Sequence, residues 1–190
     1  DGKDAWTCRL RRLGIGTDRE VMIYSPLSVR GHYMMHEHEI EACRRVIADY
    51  FRAGPYVVTH NGTSFDAVVL NNHGMPLRDD TSFDGMVAHQ IGPTSELPHR
   101  LDFLGSMYTD APFWKDDVKH SELKDDATLD RYLSYDIAVT YLSEPYVRQN
   151  VVWSQQEHIY HLDAELFRSG RSMAALGVWI DLEVRWKFAQ

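Results

Sequence analysis

Two carboxylates in this chain stand in company that could do chemistry. Asp66 closes the run His60-Asn61-Gly62-Thr63-Ser64-Phe65-Asp66, and Asp136 closes Tyr132-Leu133-Ser134-Tyr135-Asp136. Residues four apart on a helix share a face, so Tyr132 and Asp136 point together. A carboxylate there can ligate a divalent cation while the phenol one turn away orients a water. Asp66 falls in the first turn of an expected helix, just past the C-terminal end of an expected strand. Open α/β sheets place their ligands at that edge, and a carboxylate there gains from the helix dipole. Each motif also has a plainer reading: Asp is common at helix starts, and a tyrosine packed beside a solvated Asp is ordinary. The residues alone leave both readings open.

The elements that must hold these groups follow from pattern. The run 9–16 leads through a turn at Thr17-Asp18 into Glu20-Val21-Met22-Ile23-Tyr24, a hairpin signal stopped by Pro26. Glu37 to Ala53 predicts an amphipathic helix with Ile40, Cys43, Val46, Ile47, Tyr50 and Phe51 on one stripe, ended by Gly54-Pro55. Tyr56-Val57-Val58-Thr59 predicts a short buried parallel strand. Thr63 or Ser64 then caps a helix running to about Asn72, ended by Gly74 and Pro76. Further helices are expected at Phe83–Gln90, at Arg100–Tyr108, and over Thr128–Leu142 with a continuation past Pro145 after a kink. Lys115 to Asp126 predicts a polar loop, and the last forty residues are helical with a break at Gly177.

The order of the two motifs, some seventy residues apart, matches the second and third motifs of the DEDDy exonucleases. The stretch between them adds to the match. Phe83-Asp84-Gly85-Met86-Val87-Ala88-His89 resembles the F-D-T-M-L segment of polymerase proofreading domains, with Gly85 where Thr is usual. Leu101 to Thr109, followed by Pro112-Phe113-Trp114-Lys115-Asp116, is similar to the corresponding segment of phage-type family A polymerases. Ser172-Met173-Ala174-Ala175-Leu176-Gly177-Val178-Trp179-Ile180-Asp181 resembles the entry into the polymerase domain. The chain thus resembles the 3′–5′ proofreading exonuclease domain of a family A DNA polymerase, across nearly its whole length.

That resemblance implies an α/β fold of the ribonuclease H-like kind, a mixed sheet flanked by helices with a helical C-terminal extension. It implies an exonuclease domain over 1–150 and a connection to a polymerase domain over 151–190. By the same resemblance Asp66 and Asp136 hold metal, Tyr132 orients the attacking water, and His60, Asn61 and Phe65 contact DNA. The implied cofactor is a pair of Mg²⁺ ions, for which Mn²⁺ substitutes, and the implied partner is the 3′ end of single-stranded DNA. The family's first motif, D-x-E on a first strand, is absent from these 190 residues. Asp18-Arg19-Glu20 lies in the hairpin turn and Glu37-His38-Glu39 opens a surface helix, so neither supplies it. Asp1-Gly2 falls where the residues just after such a segment would stand.

Composition sets the limits. The length supports one well-buried core, and 44% hydrophobic with 25% charged residues is an ordinary globular balance. The net charge of −8 weighs against a surface that grips duplex DNA through many phosphates. It is compatible with a nuclease that touches few nucleotides through metals and stacking. No window approaches a membrane span, no signal peptide is legible at Asp1, and two cysteines make no disulfide framework. These features, with the resemblance, predict a cytoplasmic protein, in a host cytoplasm for a phage.

Other constellations are weaker. His32, His36 and His38 lack a further ligand, and His158 with His161 reads as a polar helix face. Gly14-x-Gly16 lacks the rest of a dinucleotide loop, and no G-x-S-x-G occurs. Methionines and tryptophans are expected in the core. A stand-alone DEDDy ribonuclease and an exonuclease-like domain with a decayed site are the competing readings.

Overall fold

The computed structural model describes residues 5–115 and 125–177. Strand β1 (Leu13–Gly16) and strand β2 (Val21–Tyr24) form an antiparallel hairpin in which Leu13 faces Tyr24 and Gly16 faces Val21. The turn is held by the Thr17 N–H donating to the Glu20 carbonyl at 2.9 Å. Helix α1 (Glu37–Arg52) follows, and the Glu39 carboxylate accepts the His36 N–H at 2.8 Å at its start. Its buried face is Ile40, Ile47, Ala48 and Phe51. Val46 and Tyr50, expected on that stripe, are exposed instead. The buried positions follow steps of three and four from Ile40, and the two outliers lie just off that line.

Strand β3 (Val57–Thr59) pairs in parallel with β4 (Ser82–Asp84), so that Val57 faces Ser82 and Thr59 faces Asp84. Parallel pairing demands a crossover, and helix α2 (Asp66–Asn72) provides it. Helix α3 (Gly85–His89) starts directly from β4, and α4 (Leu101–Tyr108) follows. The helix expected over Phe83–Gln90 therefore starts two residues late, at Gly85, and its first two residues are strand. Phe83 and Asp84 extend beside β3 because Asp84 is an N-cap, its side chain accepting from the Met86 and Val87 N–H groups.

Helix α5 (Asp126–Trp153) runs through Pro145 as one helix of 28 residues, and α6 (Glu157–Leu176) ends where Gly177 takes φ +70°. Most of the predicted loop between Lys115 and Asp126, the segment Val178–Asp181 and Asp1-Gly2 lie outside the described residues.

The fold is thus mixed α/β. The expected single mixed sheet takes the form of two two-stranded sheets, one antiparallel and one parallel, with no ladder joining them among the described residues. Helix α5 packs against β1, β2 and β3, and so bridges the two sheets. Gly14 and Gly16 allow its close approach: a Cβ on either would collide with the Ile137 side chain. One core gathers Tyr24, Ile47, Phe51, Val68, Leu70 and Met75; a second gathers Phe83, Val87, Leu104, Val147, Val151 and Tyr160. Met75 and Trp114 are buried as expected, whereas Met22, Met34, Met107, Met173, Trp6 and Trp153 are exposed. No helix among the described residues is long and apolar enough to cross a membrane.

Candidate active site

The loop that carries His60, Asn61 and Phe65 is shaped by a residue 18 positions beyond Asp66, the buried Asp84. Its Oδ1 accepts the Asn61 N–H and its Oδ2 the Thr63 N–H, each at 2.9 Å. Oδ1 also accepts from Met86 at 3.1 Å and Val87 at 3.4 Å. Asn61 takes φ +63°, a left-handed conformation that Asn tolerates better than most residues. Gly62 is required beside it, because a Cβ there would overlap the Thr59 side chain. Neither Thr63 nor Ser64 caps α2, contrary to expectation. The helix starts at Asp66, so the capping position falls on Phe65, which makes no side-chain hydrogen bond, while the Thr63 N–H is held by Asp84. Phe65 is half-buried and packs on the first core.

Asp66 is the first residue of α2, past the end of β3. Burial raises its pKa from the usual carboxylate range to about 6, and the negative charges of Asp84 and Asp136 add to the rise. The expected dipole gain is overridden: desolvation disfavours the charged form more than one short helical turn favours it. The influence of Asp136 brings the two sequence-predicted carboxylates into one electrostatic neighbourhood.

Asp136 and Tyr132 share a face of α5, and what meets them is Lys115. Its Nζ donates to Asp136 Oδ1 at 2.6 Å and to the Tyr132 hydroxyl at 2.7 Å. Trp114 Nε1 donates to the same Oδ1 at 2.7 Å. The Trp114 ring is buried, stacks on Tyr135 with centroids 6.0 Å apart, and presses on Gly105 of α4. His60 lies within the field of Asp136 and Lys115, and burial lowers its pKa, which keeps the ring neutral at pH 7. The N-terminal end of α5 is fixed by Arg12, whose buried guanidinium pairs with Asp126 and, at 2.6 Å, with Asp130.

A second pair of rings lies close by. His89 Nδ1 and His99 Nδ1 are 2.8 Å apart, and His89 is fully buried. Burial, then the His99 and His60 charges, lower the His89 pKa to about 4.

Asp66 and His60 therefore lie within electrostatic reach of Asp136, which shares a helix face with Tyr132, and the Asn61 backbone is fixed by Asp84. Lys115, Trp114, Asp84, His89 and His99 carried no functional signal of their own in the sequence. Asp84 and Lys115 appeared only inside the quoted polymerase-like segments. No protein-family model matches the chain, and a search of curated proteins finds no match. The apolar cavity of about 410 Å³ between α2 and α6 is lined by Trp6, Val68, Leu166 and Phe167 and by neither of these carboxylates.

The donor set can be judged on its chemistry. No group of three or more His, Cys, Asp or Glu suited to a metal occurs among the described residues. Two carboxylates suit one hard cation that keeps several waters and a phosphate ligand, as Mg²⁺ does. The half-buried Asp66 carboxyl, its pKa raised by desolvation and then by two like charges, is a place where positive charge is favoured. On the chemistry of that donor set, the two carboxylates would suit one such ion. They do not fit the expected second.

Three of the remaining histidines have ring neighbours. His36 stands at the start of α1 and stacks on His38, with centroids 5.7 Å apart. His161 packs edge-on against Tyr160 on α6.

Proposed function

We propose that this chain is the 3′–5′ proofreading exonuclease domain of a family A DNA polymerase, built on a ribonuclease H-like fold and hydrolysing the terminal phosphodiester of single-stranded DNA. The observation that carries this reading is that Asp66, at the end of β3, lies within electrostatic reach of Asp136, which shares a face of α5 with Tyr132. The β3–α2–β4 crossover supports it, because it presents Asp66 at the strand edge where α/β sheets bind ligands.

Asp66 and Asp136 would hold Mg²⁺, or Mn²⁺ in its place. The ion supplies charge stabilisation on the phosphate and a water acidic enough to attack at neutral pH. Tyr132, one turn from Asp136, would orient a water through its hydroxyl. His60, neutral at pH 7, offers one ring nitrogen as a donor and the other as an acceptor to the terminal nucleotide. Asn61, in the left-handed turn that Asp84 fixes, and the half-buried Phe65 would contact the DNA. A second ion would need the D-x-E pair that the 190 residues lack. The partners in this reading are a single-stranded DNA 3′ end and the polymerase domain of a longer parent, in the cytoplasm. A stand-alone ribonuclease with the same motifs would carry a helical RNA-binding domain downstream instead.

The contact of Lys115 on Asp136 favours one other reading, an exonuclease-like domain with a decayed site. Substitution in the parent polymerase separates the two. Asp66→Ala or Asp136→Ala should abolish 3′–5′ digestion while largely sparing polymerisation. Equal loss of both activities, or loss of neither, would count against the proofreading assignment.

A further inference from the structure

Lys115 is the one cation whose ammonium touches both members of the Tyr132–Asp136 pair among the described residues. It is largely enclosed, with 18% of its side chain exposed against 24% for Asp136. It lies 4.5 Å from the centroid of the Tyr132 ring and 5.2 Å from that of Trp114, so aromatic faces flank its charge. Trp114, the preceding residue, is locked into the α4–α5 seam and aims its N–H at the same Oδ1. The backbone that delivers Lys115 is therefore anchored by a buried neighbour, which limits where the ammonium can go. A surface lysine pays side-chain entropy to reach a carboxylate; this one is held in place from both sides.

We infer that Lys115 is a tethered cation that neutralises Asp136 and engages Tyr132 until a divalent cation displaces it. The inference rests on the proposed metal site and adds competition to it. While Lys115 occupies Asp136 Oδ1, the carboxylate is satisfied and the tyrosine hydroxyl is committed as an acceptor. An arriving divalent ion must break two charge-assisted hydrogen bonds, and only then is the phenol free to orient a water. Lys115 thus acts as a positioning residue that sets how much free metal the site requires. The surrounding charged and titratable groups are His60 from the β3–α2 loop and Tyr132, Tyr135 and Asp136 from α5.

The test is Mn²⁺ binding to the purified 190-residue chain, followed by electron paramagnetic resonance of the free ion. Lys115→Met should bind Mn²⁺ about fivefold more tightly than wild type, the scale of one partly exposed ion pair. Lys115→Arg, which keeps the charge, should match wild type. Asp136→Asn should abolish the binding in every background. Equal or weaker binding by Lys115→Met, with binding still dependent on Asp136, overturns the tethered-cation inference and leaves the metal-site reading standing. Binding that ignores Asp136, or its absence from wild type and Lys115→Met alike, overturns both. Thermal melting gives a second measurement that tolerates a weakened fold. In chelator, Lys115→Met should melt below wild type, and added Mg²⁺ should raise its Tm by more than it raises that of wild type. Equal Mg²⁺ responses would overturn the inference. Lys115→Gln serves in the same assays should the methionine variant fail to fold.

Discussion

The carboxylate of Asp84 accepts the backbone N–H of Asn61 at 2.9 Å across the end of the β3–β4 pair. Through that bond, and the matching one to Thr63, a buried acid on one strand sets the loop that follows the other. Asp84→Ala leaves several backbone N–H groups without an acceptor, each costing about 1–3 kcal/mol when buried. We expect a loss of about 3 kcal/mol in urea denaturation. The Asn61 amide should also move in a ¹H–¹⁵N spectrum, whereas a variant that merely lost packing in the second core would leave that loop unchanged.

Asp66 predicts a trade between stability and function. Its folded pKa of about 6 lies above the 3.8 of an ordinary Asp, so the folded state binds a proton more tightly than the unfolded one. Stability from this group is present below pH 3.8 and is lost as pH rises through about 6. Asp66→Asn, which cannot ionise, should therefore be more stable than wild type at pH 7.5, by about 2 kcal/mol. That advantage should shrink towards zero near pH 4. An advantage that stays constant across this range in denaturant titrations would mean burial does not govern the group.

His89 acts with the opposite sign. Its folded pKa of about 4 lies below the 6.5 of a free imidazole, so the unfolded state takes up the proton first. Its contribution is fully present above pH 6.5 and is lost as pH falls through about 4. An NMR titration should find the His89 ring neutral at pH 5. Its Nδ1 contact with His99 requires one of the two nitrogens to lack a proton. A His89 ring already charged at pH 5.5 would contradict its enclosure.

Gly14 is predicted to be intolerant of any side chain, because its Cβ would enter the space of Ile137. Gly14→Ala should cost about 1–3 kcal/mol through overpacking. Pairing it with Ile137→Ala should recover part of that loss, a coupling that a double-mutant cycle in urea would detect. Strict additivity would show that α5 does not press on β1.

Arg12 anchors the end of α5 that leads to Tyr132 and Asp136. Arg12→Met leaves Asp126 and Asp130 without their shared cation, though both acids keep partial access to water. A loss of about 2 kcal/mol is expected, below that of a fully buried pair. Hydrogen exchange should quicken in the first turns of α5 before it quickens at Val147. Uniform quickening along the helix would deny Arg12 an anchoring role.

Much of the framework was legible in the residues. The turn at Thr17-Asp18, the stop at Gly54 and Gly177, and the run of α5 all follow from local chemistry that acts over one or two turns. Two of the failures came from contacts beyond the local window. Phe83 and Asp84 carry a helical spacing, but pairing with β3 claimed them for a strand. Thr63 looks like a cap, but its backbone is held in the turn before α2 by Asp84, which no window around Thr63 contains, and the helix starts only at Asp66. Val46 and Tyr50 fell off the buried face of α1 because helical periodicity fixes a face only to within about a residue.

The candidate site divides in the same way. Residues four apart on a helix must share a face, so the Tyr132–Asp136 pair needed nothing beyond the chain's own spacing. The position of Asp66 past a β-branched run likewise followed from strand, loop and helix in succession. Tertiary structure alone brought Lys115 and Trp114 onto Asp136, placed Asp84 behind Asn61, and buried Asp66 deeply enough to raise its pKa. These contacts join residues roughly twenty positions or more apart, and they depend on burial, which is a property of the packed chain. A spacing rule carries the direction of a side chain along its own element; the charge it meets, and the water it loses, are decided by which elements fold against it.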